Sequence, residues 1–588
     1  MVIHVLTGVA SCLACMAATS VQQDCVMLGL FLASVGLSLA LRTYVLQLPF
    51  LLLSIALMLI AAIDAAVLFT LSQRLYVFDV LKFGKELDAT IQFARIFFSS
   101  TLGKIVALPA IAGLVLVACV LAPRPRKPRT AAVLILVAVV SLAFGAWRPS
   151  TLSYIHYEIL ESIVAVNMEL GVDRAYSPAF AERVKHDLQP QIPICSDRVG
   201  APVQPNVLFV LVESLSMHHS QLFGGARDLT PNLDAIARQY TYAPNFYANG
   251  FTTDGGLIAL ITGRAPIPAV GRYASIEAFK GFDDPTRALP RVVHASGYTA
   301  NFLTTGDLAF LDKTSWLRSL EFDHFEGAEN PFYDGWKRRH FNAAEDKALY
   351  LRFLQWLDQR SDTKPWFTML LTVSTHPPFI NPENEQSDEP GAFRYADKEL
   401  GMLFDELKKR NFFDNGILII SGDHRSMTPL FPEEQAKFGD SAMARVPMVI
   451  ATHLPVARGA LNDAFQQTDL LPSLDNLLNA HSCRVDQQGV FLDDKPVPPS
   501  YVLHARGDKR DRLDIYFKSG GEPRHGNIVM DGDASRWLDD KPDDWQQVML
   551  RVAADRISRG SDKENMLDFI INQYFPPKPA AAASPEAK

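Results

Sequence analysis

The chain has 588 residues and a formal net charge of −8, with 56 Lys and Arg against 64 Asp and Glu, so it carries no basic signature for a nucleic-acid partner. Its length accommodates a membrane region plus one large soluble domain. The apolar residues are unevenly spread: they dominate 1–147, whereas 148–575 have an ordinary soluble composition.

Five apolar segments, 3–20, 26–41, 48–72, 103–122 and 131–147, come near the ~20 residues that a helix needs to cross a bilayer. The first has the look of a signal peptide without a charged n-region or a convincing cleavage site, and is read as an uncleaved span. The basic loop Pro123-Arg-Pro-Arg-Lys-Pro-Arg129 sets the orientation, since short Lys/Arg-rich loops stay in the cytoplasm. Arg42 falls on the same side. Five crossings from an inside N-terminus place the rest of the chain outside. Between the third and fourth segments, Leu75 to Phe98 has apolar residues at helical spacing. That pattern suits an interfacial helix that guides lipid, or equally a connecting helix packed on the bundle.

Residues 148–204 read as a linker with a helix over Tyr154–Leu170 and an extended Pro-rich end. From Asn206 to about 480 the pattern alternates. Strands are expected at Asn206–Val212, Tyr298–Leu303, Trp366–Val373, Ile417–Ser421 and Pro447–Ala451. Helices are expected at Pro231–Tyr240, Asp254–Ile261, Leu289–Ser296, Asn342–Gln359, Tyr395–Lys409 and Gln467–Asn479. This alternation predicts an α/β fold with a mostly parallel sheet, whose ligand site lies beyond the carboxyl ends of the strands. Residues 498–535 hold short strands and turns, a helix follows near 543–558, and the large domain is taken as 205–575. The tail 576–588 is low-complexity and is read as disordered.

Several chemistry-bearing residues fall at those strand ends. The buried run Gly416–Ser421 leads into Asp423-His424, a carboxylate and an imidazole that can share a cation. Asn206–Val212 leads into Glu213. The hydroxyl-rich turn Gly250-Phe-Thr252-Thr253-Asp254 opens a helix, where free N–H groups favour an anionic phosphate. His376 follows the strand at Trp366–Val373. Each has a plainer reading: a surface acid, a capping threonine, a structural histidine. Of the six cysteines, Cys12, Cys15 and Cys119 lie in apolar segments and Cys25 lies near a boundary. Cys195 and Cys483 belong to the soluble part, and whether they pair stays open here.

Residues 206–480 resemble the membrane-anchored members of the alkaline phosphatase and sulfatase superfamily, of the lipoteichoic acid synthase and phosphoglycerol transferase type. The matching stretches are Asn-Val-Leu-Phe-Val-Leu-Val-Glu213-Ser, Thr230-Pro-Asn-Leu, Gly250-Phe-Thr252-Thr-Asp, Ser374-Thr-His376-Pro-Pro-Phe, Tyr395-Ala-Asp-Lys-Glu-Leu-Gly, Ser421-Gly-Asp423-His424 and Arg445-Val-Pro-Met. The resemblance implies an alkaline-phosphatase-like domain behind a five-helix transmembrane region. It implies one divalent metal held by Glu213, Thr252, Asp423 and His424, with Thr252 as nucleophile and Thr253 as the alternative one residue away. Oxygen-rich ligands suit Mn²⁺, Mg²⁺ or Zn²⁺, and the resemblance favours Mn²⁺. His376, Asp307, Lys313 and Arg425 are the substrate-side candidates. The segment Gly306 to Leu317 departs from lipoteichoic acid synthases, which have a histidine near Thr304 and a tryptophan and arginine at Leu311 and Lys313. That leaves the headgroup preference open.

The implied function is transfer of phosphoglycerol from phosphatidylglycerol to a glycan or lipid acceptor, at the outer face of a bacterial cytoplasmic membrane. The alternatives are a phosphoethanolamine transferase, a sulfate or phosphodiester hydrolase of the same superfamily, and an inactive lipid- or glycan-binding sensor. Phosphoethanolamine transferases usually carry several disulfides, and Thr252-Thr-Asp-Gly-Gly does not match the C/S-x-P-x-R motif of sulfatases.

Overall fold

The computed structural model describes residues 18–71, 128–146, 176–197, 204–268, 278–361, 363–428, 430–507, 512–519, 522–537 and 546–559. Nearly all of the first expected span, the whole of the fourth, the segment 75–98, the linker helix at 154–170 and the tail 576–588 lie outside them.

Three N-terminal helices are described: α1 (Ala18–Ala40), α2 (Tyr44–Leu71) and α3 (Pro128–Ala146). They overlap the second, third and fifth expected spans. Large apolar side chains stand exposed on them, including Val45, Leu46, Leu52, Leu53, Leu136 and Val140. Hydroxyls pair inside the group, Ser34 Oγ with Ser54 Oγ at 2.7 Å. Among the described residues no helix is long and apolar enough to cross a membrane.

The soluble part is built on an eight-stranded sheet in the order β10-β3-β9-β8-β2-β7-β5-β6. These strands are β2 (Asn206–Val212), β3 (Thr241–Ala243), β5 (Thr299–Thr304), β6 (His324–Glu326), β7 (Trp366–Leu371), β8 (Gly416–Gly422), β9 (Met448–Thr452) and β10 (Gly459–Ala460). β2 pairs in parallel with both β7 and β8, and β5 pairs in parallel with β6 and β7. The sheet is nevertheless mixed, because β9 runs antiparallel to β8 and β3.

Both faces of the sheet are covered, which is why its central strands read as continuous apolar runs rather than alternating ones. Val207, Phe209 and Leu211 of β2 face one layer with Leu257, Ile261, Leu289 and Leu474. That layer holds α6 (Thr253–Thr262), α7 (Leu289–Ala295) and α12 (Leu470–Leu478). Leu208, Val210 and Val212 face the other layer with Leu233, Phe353 and Leu403. It holds α5 (Pro231–Gln239), α9 (Asp346–Gln359) and α10 (Glu389–Lys409). The two-residue period of a strand does the sorting.

A second, antiparallel sheet follows: β13 (Tyr501–Ala505), β14 (Arg512–Ser519), β15 (Glu522–Val529) and β16 (Arg536–Trp537). The helix α13 (Gln546–Ser558) packs on it through Val548 and Val552.

Cys195 and Cys483 form a disulfide with Cα atoms 4.1 Å apart. It joins β1 (Ile194–Asp197) to β12 (His481–Arg484), where the two cysteines are register partners. The pairing matches an oxidising compartment. Changing both cysteines to serine is expected to lower stability by about 2–4 kcal/mol, because the bond closes a long loop in the unfolded chain. A thermal melt unchanged by the double substitution would contradict this.

Candidate metal centre and nucleophile

The register of β2 on β8 builds the site. Val212 lies opposite Gly422, so the next residues, Glu213 and Asp423, leave the sheet side by side. Ser214 then takes a left-handed backbone with φ 57°. That turn aims its N–H at Asp423 Oδ1 at 2.7 Å, while its hydroxyl donates to Glu213 Oε1 at 2.8 Å. Such a conformation in a non-glycine residue carries strain and persists where its surroundings enforce it.

His424 follows, its N–H donating to Asp423 Oδ1 at 2.8 Å. Its Nδ1 donates to the Arg425 carbonyl at 2.8 Å, which leaves Nε2 to face the carboxylates. Nε2 lies 3.5 Å from Glu213 Oε1 and 3.4 Å from Asp423 Oδ2. Glu213, Asp423 and His424 are all buried, and one ligand atom from each falls within 4.8 Å of the others. Asp423 Oδ2 is buried with no hydrogen-bond partner. Two carboxylates and an imidazole, with one carboxylate oxygen lacking a hydrogen bond, fit a divalent cation.

Besides Ser214, Thr253 brings a hydroxyl to this cluster. Its Oγ1 lies 3.2 Å from Glu213 Oε2 and 3.5 Å from His424 Nε2. Thr252, the residue expected there, is instead the extended N-cap of α6, with φ −129° and no side-chain capping bond. The helix can approach because residue 256 is glycine: a Cβ there would sit 2.2 Å from the Asp423 carbonyl oxygen. This contact brings the first turn of α6, and Thr253 with it, onto the face that carries Glu213 and His424. Gly422 is confined in the same way, its Cβ position lying 2.2 Å from the Leu215 carbonyl.

Burial raises Asp423 to about 7, with the Glu213 charge acting in the same direction. Burial would lower His424, but the Asp423 and Glu213 carboxylates hold it at about 9. Burial would raise Glu213, yet its hydrogen bond to His424 keeps it below the usual carboxylate range. A cation entering this cluster must displace a tightly held proton. The affinity for Mn²⁺ is therefore expected to rise from pH 6.5 to 9, with a binding enthalpy that depends on the ionisation enthalpy of the buffer. A pH-independent affinity over that window contradicts the assignment. The metal-free fold has the opposite slope. The stability contributed by His424 is complete below its unfolded value of 6.5 and is lost as the pH rises through about 9.

The substrate-side candidates separate. His376 lies in the turn after β7, its Nδ1 donating to the Pro377 carbonyl at 2.6 Å. Burial lowers its pKa against the pull of Glu213. With Nδ1 donating, the neutral ring has its acceptor at Nε2. Lys313 is buried, donates to the Phe310 carbonyl at 3.0 Å and adds positive charge beside His376. Asp307 folds back on its own loop, Oδ1 accepting from Ala309 N at 2.8 Å. Arg425 is not on the substrate side. It is 0% exposed and forks onto Glu434 at 3.0 and 2.7 Å, with further bonds to the Ser426 and Thr428 carbonyls. Its work is to hold the turn that follows the ligands.

A second histidine group, His218, His219 and Glu389, has metal-like spacing. His219 Nδ1 accepts from Ser216 N, so its Nε2 bears the proton and donates to Glu389 at 3.3 Å. Arg227 pairs with Glu389, and Arg425 pairs with Glu434 beside His218. The carboxylates there already face cations, which makes this a charge-balanced packing network.

Residues 205–480 match the sulfatase family. The chain is 25% identical over 322 residues to the lipoteichoic acid synthase of Staphylococcus saprophyticus, covering 47% of this chain and 46% of that protein. It is 24% identical over 325 residues to lipoteichoic acid synthase 1 of Bacillus subtilis, covering 50% and 49%. The match thus spans about half the length of these relatives. Among solved structures, the lipoteichoic acid synthase LtaP from Listeria monocytogenes aligns with 64% of this chain and 97% of its own, at 18% identity and a TM-score of 0.46.

Proposed function

We propose that this chain transfers phosphoglycerol from phosphatidylglycerol to an extracytoplasmic glycan or lipid hydroxyl, with Thr253 as the nucleophile. The observation that carries the reading is the Thr253 hydroxyl standing 3.2 Å from Glu213 beside the orphaned oxygen of Asp423. Relatives named as lipoteichoic acid synthases support the same class of reaction.

A divalent cation held by Glu213, Asp423, His424 and Thr253, Mn²⁺ by family resemblance, would neutralise phosphoryl charge and make the threonine hydroxyl easier to deprotonate. In the first step Thr253 Oγ1 bonds to phosphorus as the bond from phosphorus to the diacylglycerol oxygen breaks. The proton leaving Thr253 is the one gained by diacylglycerol, and we assign its relay to His376 Nε2. In the second step an acceptor hydroxyl bonds to phosphorus and Thr253 Oγ1 leaves, the proton returning by the same nitrogen. Lys313 offers charge to the phosphate, and Asp307 offers its second oxygen to a glycerol hydroxyl.

The five-span membrane region and the extracytoplasmic placement belong to this proposal. The exposed apolar side chains of α2 and α3 and the Cys195–Cys483 disulfide support them. Anchoring the domain beside its lipid donor raises the effective donor concentration. The test uses the full chain in proteoliposomes containing phosphatidylglycerol and Mn²⁺. Diacylglycerol should appear, and a chelator should stop its release. Release from phosphatidylethanolamine alone would overturn the headgroup assignment, and release from neither lipid would overturn the transferase reading.

A further inference from the structure

The turn after β7 carries His376 and touches the first metal-ligand candidate on both sides. Thr372 Oγ1 accepts from Glu213 N at 3.0 Å, and Thr375 Oγ1 donates to the Glu213 carbonyl at 2.5 Å. His376 N closes the turn onto the Val373 carbonyl at 3.0 Å. One side chain from another element fastens this turn. Asp346, the first residue of α9, is 0% exposed. Its Oδ1 accepts from Val373 N at 3.0 Å and from Ser374 N at 2.9 Å. Its own N–H donates to Ser374 Oγ at 2.9 Å. The other oxygen, Oδ2, is buried without a hydrogen-bond partner.

An aspartate in the first turn of a helix ordinarily serves that helix, through its free amides and its dipole. Asp346 does something else. It turns its carboxylate onto a different element and accepts from two partly buried amides. An unsatisfied buried amide is costly, so the turn has one strongly favoured position while Asp346 is present.

We infer that Asp346 is a positioning residue for His376: it fixes the turn that carries the imidazole near the Glu213 carboxylate, without touching substrate or cation itself. The inference rests on the transfer reading above. Steady-state diacylglycerol release is measured for the full chain in phosphatidylglycerol proteoliposomes with Mn²⁺, comparing wild type, D346A, D346N, H376A and D346A/H376A. D346A should lower kcat at least ~10-fold, with KM and the Mn²⁺ affinity little changed, since a loosened reacting group costs rate more than binding. D346N keeps an acceptor for the same two amides and should recover most of the rate. In the H376A background the loss from D346A should vanish, as expected for residues acting through one another. An equal loss in both backgrounds overturns the inference, as does a D346N as slow as D346A. Should D346A fail to fold, D346E, which displaces the acceptor oxygen, carries the same comparison. Absence of release by the wild type would instead overturn the transfer reading.

Discussion

Thr253→Ala is expected to reduce diacylglycerol release by at least ~10³-fold, the scale on which loss of a covalent nucleophile is felt. Thr252→Ala is expected to retain most of the rate. The two residues are adjacent, both are hydroxylic and both are partly buried, so the contrast isolates geometry from chemistry. Only Thr253 reaches Glu213 and His424. Thr252 supplies the N-cap backbone of α6, and its carbonyl accepts from Gly256 N at 3.0 Å, a bond that alanine preserves. The cost of Thr252→Ala is thus confined to a cap residue that makes no side-chain capping bond. Melting curves for both variants should overlie the wild type. If Thr252→Ala is the inert variant and Thr253→Ala the active one, the nucleophile has been misplaced by one residue.

Asp423→Asn is expected to weaken Mn²⁺ binding by at least ~10²-fold while leaving the metal-free fold intact. Asparagine keeps an oxygen for the N–H groups of Ser214 and His424, which Asp423 Oδ1 now serves. Its amide nitrogen then takes the place of the orphaned Oδ2 and presents a donor where a cation needs an acceptor. Burial and the neighbouring Glu213 charge both disfavour the Asp423 carboxylate, so removing it relieves those costs while giving up its pairing with His424. The metal-free variant should therefore still fold at pH 8, with a melting temperature close to that of the metal-free wild type. Added Mn²⁺ should stabilise the wild type alone, since only a ligand bound by the native state raises its melting temperature. Equal stabilisation of both proteins would remove Asp423 from the cation site.

The candidate ligand positions stand out in the sequence because a buried parallel strand is apolar throughout, and the first carboxylate after it interrupts the run. Glu213 and Asp423 are both of this kind, and their adjacency follows once β2 and β8 are neighbours. The choice between Thr252 and Thr253 was not legible. On a helix, one residue turns a side chain by about 100°, and the face turned toward the ligands depends on Gly256 meeting the Asp423 backbone. Arg425 misled for a related reason: sequence places it beside His424, whereas Glu434, nine residues on, draws the guanidinium into the protein. The direction of β9 was hidden because an apolar run of five residues reads the same either way along the chain. The Cys195–Cys483 pair could not be decided before strand register placed the two cysteines opposite each other. Asp346 gave no signal, since a helix-opening acid is ordinary and only the tertiary fold shows that it serves another element.

The most direct test is to look for the covalent intermediate. The full chain is incubated with phosphatidylglycerol and Mn²⁺ without acceptor, quenched in acid, digested and read by peptide mass spectrometry with fragmentation. A glycerophosphoryl group on Thr253 is the predicted result. Diacylglycerol release with the group on Thr252, or with no residue modified, would contradict it.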